Sequence, residues 1–147
     1  MARVDGRDYP EHLYYDVPNQ VWYEALASGD VKAGFTPIAM KLAGEVLVFT
    51  PKRVGKDFEA QRSFAVIEGG KWVGAARAAF EGVVIASNDD LIQRPRLLSE
   101  DAFGAGWMLI VKPAHQTWRE GLVTGADVEP AFAAWISAEA YKDRAGE

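Results

Sequence analysis

The stretch Phe64-Ala65-Val66-Ile67-Glu68-Gly69-Gly70-Lys71-Trp72-Val73-Gly74 places two short apolar runs on either side of a Gly-Gly pair and a lysine. A run of β-formers, two glycines and a second run read as a tight β-hairpin, because glycine accepts the positive φ such turns demand. Lys71 then sits at or beside the exposed tip of a rigid ribbon, with its ammonium in water on a supported platform. That position suits a covalently attached arm. The plainer alternative is an ordinary solvated turn lysine.

Working outward, short apolar runs alternate with turn signals on both sides. Gln20 to Leu26 reads as a strand ended by Ser28-Gly29-Asp30, with Val31 to Phe35 as its hairpin partner. Thr36-Pro37 can cap and open a short helix over Ile38 to Leu42, and Gly44 stops it. Glu45 to Thr50 is a strand closed by Pro51, and Gly82 to Ala86 another. Gly44 to Val48 and Gly82 to Ala86 echo each other, as the halves of a sandwich with approximate twofold symmetry would. A polar stretch from Ser87 begins a long irregular connection, and Trp107 to Lys112 returns as a late strand.

The period then changes. Asp127 is a candidate N-cap, Pro130 lies in the first turn, and Phe132, Trp135, Ile136, Ala140 and Tyr141 recur three or four apart. The expected fold is mostly β with short α elements, a small sandwich or barrel ending in an amphipathic helix. A single domain spans residues 1–147, with a core over about 20–112 and the helix over about 127–142.

Composition bounds the function. The chain has 147 residues, 49% of them hydrophobic, and a net charge of −5, which suits a folded domain and argues against phosphate-neutralising nucleic-acid binding. No apolar run is long enough to span a bilayer. The opening residues lack the apolar core of a secretion signal, so a cytoplasmic protein is expected. There is no cysteine, which excludes disulfides, a cysteine nucleophile and thiolate metal sites. His12 and His115 lie in unrelated segments and read as surface residues. No Ser-His-acid pattern, phosphate-binding glycine loop or metal-ligand spacing occurs. The chain does not read as an enzyme in its own right.

The order of landmarks from about Gln20 to Val111 resembles the glycine cleavage system H-protein family, carriers of lipoic acid. The resemblance rests on Gly34-Phe35-Thr36, Leu42-Ala43-Gly44-Glu45-Val46-Leu47-Val48-Phe49, Pro51, Val54-Gly55 and Phe64-Ala65-Val66-Ile67-Glu68, with Lys71 three residues after the glutamate. It continues through Asn88, Pro95, Leu97 and Ser99-Glu100-Asp101-Ala102-Phe103-Gly104-Ala105-Gly106-Trp107, with Ala138-Glu139-Ala140-Tyr141 near the end. It implies a barrel-sandwich hybrid of the lipoyl/biotinyl kind in which Lys71 carries lipoate through an amide bond. Acylation removes the lysine charge and adds a flexible arm ending in a dithiolane, so the cofactor supplies reactivity while the protein supplies position and recognition. Glu68 would present an acidic mark beside the lysine, and Gly70 and Trp72 flank it. Glu68 as a solvated strand-end carboxylate and Trp72 as a packing aromatic remain open. The resemblance also implies a lipoate-protein ligase and a dihydrolipoamide dehydrogenase as partners.

Three positions depart from the family pattern. Where the family reads His-Glu-Trp, this chain has Gln20-Val21-Trp22. The family's histidine or tyrosine after Gly-Ile-Thr-acid is Ile38 here, and the acid is Pro37. The aspartate four residues after the lipoyl lysine is Ala75. Each change removes a polar group from the expected arm cleft, read as Val21, Ile38 and Ala75. Leaving a polar amine unpartnered there costs about 2–7 kcal/mol, and about 3 kcal/mol is already roughly a hundredfold in affinity. The expected cargo is therefore apolar or sulfur-bearing. Val4-Asp5-Gly6, Pro10-Glu11 and the Gly-Lys-Trp attachment point are similar to a divergent branch, the lipoate-binding proteins of the heterodisulfide-reductase-like sulfur oxidation system. That resemblance implies a heterodisulfide-reductase-like complex as partner and sulfur species or electrons as cargo. The alternative is an H protein carrying an aminomethyl group. A biotin carrier, lacking Met-Lys-Met surroundings, and an unmodified interaction module are the remaining readings.

Overall fold

The computed structural model describes residues 1–145, with side chains through residue 138. An N-terminal hairpin, β1 (Ala2–Val4) and β2 (Arg7–Tyr9), precedes β3 (Tyr14–Asp16), β4 (Val21–Ala25), β5 (Val31–Phe35) and helix α1 (Pro37–Ala43). Then come β6 (Val46–Pro51), β7 (Asp57–Phe58), β8 (Ser63–Gly69), β9 (Val73–Arg77) and β10 (Gly82–Ser87). Helices α2 (Asp90–Gln93) and α3 (Leu97–Glu100), strand β11 (Leu109–Pro113), a 3-10 turn (Gly125–Asp127) and helix α4 (Val128–Ala145) complete the chain.

The two main sheets share one core. A six-stranded sheet runs β3-β4-β5-β11-β10-β7, and a three-stranded sheet runs β6-β8-β9. Tyr23, Val31, Phe35, Val84 and Val111 from the first meet Phe49, Phe64, Ile67 and Ala76 from the second in a single buried cluster. The alternation read from the sequence follows this two-layer architecture, since every second side chain points inward. The echoed segments at Val46 and Gly82 lie in different sheets.

The local signals around α1 hold in detail. Thr36 Oγ1 accepts from the Ala39 amide at 3.3 Å, Pro37 opens the first turn, and Gly44 ends it at φ 74°. That left-handed value favours glycine.

The expectations for the second half of the chain change in part. The connection after Ser87 is not irregular throughout, because α2 and α3 are single turns, each anchored by one fully buried leucine, Leu91 or Leu98. Asn88 stitches that connection to the sheet by donating to the carbonyls of Ala105 and Trp107 at 2.8 and 2.9 Å. Asp127 directly precedes α4, at the expected N-cap position, and also ends the 3-10 turn that leads into it. The Ala140 and Tyr141 part of the expected stripe lies outside the described side chains.

A second cluster packs α4 and the N-terminal hairpin onto the outer face of the larger sheet. It contains Ala2, Val4, Tyr9, Tyr15, Trp22, Ile38, Val128 and Phe132. Tyr9 meets Phe132 edge-to-face at 5.0 Å and stacks with Tyr15 at 5.8 Å. The hairpin turns at Asp5 and Gly6, both with positive φ, the type I′ pattern of two-residue hairpins. Among the described residues no helix is long and apolar enough to cross a membrane.

Candidate functional site

Lys71 lies two residues past the end of β8, in the loop that joins it to β9. Glu68 and Val73 are the last paired residues, and the Gly69 amide donates to the Trp72 carbonyl at 2.8 Å to close the loop. Two further bonds tie the loop to the end of α1 and the residues after it. The Gly70 amide donates to Glu45 at 2.8 Å and the Lys71 amide to Ala43 at 3.1 Å. The glycine pair does not serve the expected purpose: neither Gly69 nor Gly70 takes a positive φ. Gly69 instead lies so close to α1 that a Cβ would overlap the Ala43 carbonyl oxygen.

The stem of Lys71 runs over Gly44, where a Cβ would stand 3.1 Å from the lysine Cγ. Lys71 is exposed, and among the described residues its ammonium joins no ion pair. The backbone beneath the amine is pinned while the amine itself is free in solvent. Glu68, also exposed, stands at the strand end beside it.

A groove of about 590 Å³ opens from Lys71 between β9 and the larger sheet. Trp72 folds back over Gly74, leaving no room for a Cβ there, and its ring meets Phe35 edge-to-face at 6.4 Å. Trp72, Phe35, Ala75 and Trp135 give the groove its apolar lining, and Asn19, Gln20 and Arg77 give it polar groups. Gln20 takes φ 57°, donates to the Val17 carbonyl at 2.9 Å and accepts from the Thr36 hydroxyl.

Of the expected cleft residues only Ala75 lines this groove. Val21 is fully buried in the core between the sheets, because its side chain points inward from β4. Ile38 faces away, into the second cluster, and its amide donates to the Tyr9 hydroxyl at 3.2 Å. It lines a separate cavity of about 280 Å³ under the N-terminal hairpin. The change from acid to Val21 is thus a core substitution here, and the hairpin encloses the Ile38 position.

The sequence reading missed Gln20, Phe35, Arg77 and Trp135 as groove residues. Arg77 was within reach, since Ala75 and Arg77 share one face of a strand at period two. Trp135 was not, because helical spacing alone cannot say which face of α4 meets a groove. The histidines stay outside it: His12 lies 3.6 Å from Glu24 and His115 2.7 Å from Glu81, all at the surface. Among the described residues no cluster of potential metal ligands occurs.

Comparison with known proteins matches residues 13–134 to the family model described as glycine cleavage H-protein. Glycine cleavage system H protein 2 of Aquifex aeolicus is 36% identical over 131 residues, covering 88% of this chain and 81% of that one. A probable glycine cleavage system H protein 2 of Sulfurisphaera tokodaii is 34% identical over 128 residues, 86% of each chain. The crystal structure of a glycine cleavage system H protein from Mycobacterium marinum superposes with TM-score 0.74 at 23% identity, covering 88% of this chain and 99% of that one, a likeness of fold. The chain belongs to the glycine cleavage H-protein family, whose members carry covalently attached lipoic acid and act as non-catalytic substrate shuttles for partner enzymes.

Proposed function

We propose that this H-protein family member is a lipoyl carrier acylated at the ε-amine of Lys71. The observation that carries the reading is the combination at the hairpin: an exposed amine, free of ion pairs among the described residues, on a loop tied down by backbone bonds to Ala43 and Glu45. The residues suit the group. The amine is open to a modifying enzyme, and a groove wide enough for a flexible arm begins at the same lysine. When bound, lipoate supplies a disulfide that can be reduced or can carry a transferred group.

The chain's own residues position that arm and recognise partners. Ala43 and Glu45 hold the loop so that the arm leaves from a defined point. Gly44, beneath the lysine stem, leaves the stem room to lie flat. Glu68 offers a carboxylate beside the attachment point to a lipoate-protein ligase, and a dihydrolipoamide dehydrogenase is the partner class that re-oxidises the arm.

Two cargo readings stand. The names borne by the relatives favour an aminomethyl group in glycine cleavage. The groove lining supports a sulfur-bearing arm, because Ala75, Phe35, Trp72 and Trp135 offer an amine no carboxylate; in that reading a heterodisulfide-reductase-like complex is the partner. Incubation of lipoylated protein with glycine decarboxylase and labelled glycine separates the two. Label on the Lys71 peptide establishes the first reading. Absence of label, with the same decarboxylase loading a glycine-cleavage H protein, removes it.

A further inference from the structure

The geometry points to Arg77 as the residue that selects the charge at the free end of the arm, favouring an anionic or neutral end over an ammonium. The inference rests on acylation of Lys71 and goes further, into what the groove accepts. Among the described residues lining the groove there is no aspartate or glutamate, and once Lys71 is acylated the one charged side chain left is Arg77. Asp16, the nearby acid, is nearly buried and accepts from the Asn19 side-chain amide at 2.8 Å, so it does not face the groove as a free carboxylate.

Arg77 lies at the end of β9 away from Lys71. Lys71 to Arg77 is six residue steps, at most about 20 Å of extended chain at 3.3 Å per residue, of which the arginine side chain can span several ångströms. A lipoyl-lysine side chain of about a dozen bonds near 1.5 Å, zigzagging, has a similar reach, so an arm laid along β9 ends beside Arg77. One guanidinium nitrogen donates to the Gln61 carbonyl at 3.2 Å, which holds the group at the groove's end. Arg77 remains exposed, so its effect is graded and sensitive to salt. The aromatic walls suit sulfur, whose contacts with ring edges are favourable. They would also attract a cation through their π faces, and Arg77 opposes that attraction. The class of cargo that fits is an arm end with negative charge on or beside sulfur.

The chain has no cysteine, so thiol reagents act on the reduced arm alone. The test uses full-length protein lipoylated by a ligase, checked by the mass of the Lys71 peptide, then reduced. Its two thiols are alkylated with iodoacetate, iodoacetamide or 2-bromoethylamine to give anionic, neutral and cationic arms of similar size. Docking is read from the indole N–H resonances of Trp72 and Trp135. The expected result is an anionic arm docked about fivefold more than the cationic one at low salt, shrinking as salt rises. Arg77→Lys should keep the preference and Arg77→Gln remove it. Equal response to all three arms, or a preference that survives Arg77→Gln, overturns the assignment while leaving the carrier reading intact. A Lys71 peptide without added mass overturns both.

Discussion

Gly34 and Gly74 each lie beneath a tryptophan ring, yet a methyl group should have different consequences at the two sites. Over Gly34 sits Trp22, 1% exposed, its indole N–H donating to the Ala102 carbonyl at 3.0 Å. Gly34→Ala must force that ring out of a packed interior and should destabilise by about 1–3 kcal/mol. Over Gly74 sits Trp72, 38% exposed and able to swing into solvent. Gly74→Ala should leave stability within about 1 kcal/mol, as an exposed site does, while red-shifting tryptophan emission as the groove wall opens. Urea denaturation of the two variants checks the contrast, and equal losses would contradict it. The hairpin at Lys71 was legible because its two strand runs are local signals, although the positive φ expected of its glycines is absent. The reason for Gly69 was not, since the carbonyl that excludes a side chain there belongs to Ala43, distant in sequence. The same limit hid the burial of Val21 and Ile38, which depends on what packs over them.

Among the elements, α1 was read nearly to the residue because its signals are adjacent in the chain: Thr36 as cap, Pro37 in the first turn, Gly44 as stop. Thr36 does two tasks in a fully buried position, accepting from Ala39 and donating to Gln20. Thr36→Val keeps the volume, removes the cap and leaves Gln20 without its donor, so it should cost about 1–3 kcal/mol. Thr36→Ser keeps the hydroxyl and should cost less than about 1.5 kcal/mol, the loss of one buried methyl; thermal denaturation distinguishes them. Gly44→Ala would strain the positive-φ cap by about 1–3 kcal/mol and press a methyl against the Lys71 stem. It should slow acylation by a ligase more than its stability loss alone explains. The one-turn helices α2 and α3 were not legible, because each turns on a single buried leucine and neither is long enough to show a period. The N-terminal hairpin is formed of three-residue strands and shows its role only through distant partners: the Arg3 amide donates to Glu129 of α4 at 2.7 Å, and the Tyr9 hydroxyl accepts from the Ile38 amide.

Across the whole molecule the two-sheet architecture followed from alternation and turn signals, while the second core under α4 emerged only from tertiary packing. That core and the main one bury tyrosines whose ionisation is suppressed. Burial pushes Tyr9 up to about 12, and raises Tyr15 and Tyr23 further, with desolvation as the leading cause for all three. The folded state holds these protons more tightly than the unfolded chain, whose tyrosines ionise near 10. Their contribution is therefore fully present below pH 10 and is lost as pH rises towards the folded values. Stability should fall above pH 10 by up to about 1.4 kcal/mol per pH unit for each tyrosine. Denaturation midpoints between pH 8 and 11.5 check this, with Tyr15→Phe reducing the slope. The carrier account itself rests on one amine, and intact mass spectrometry of the protein from its native host is its most direct test. Wild type should carry the added mass of one lipoyl group and Lys71→Arg none. An unmodified wild type, or an equal mass gain in Lys71→Arg, would contradict the account.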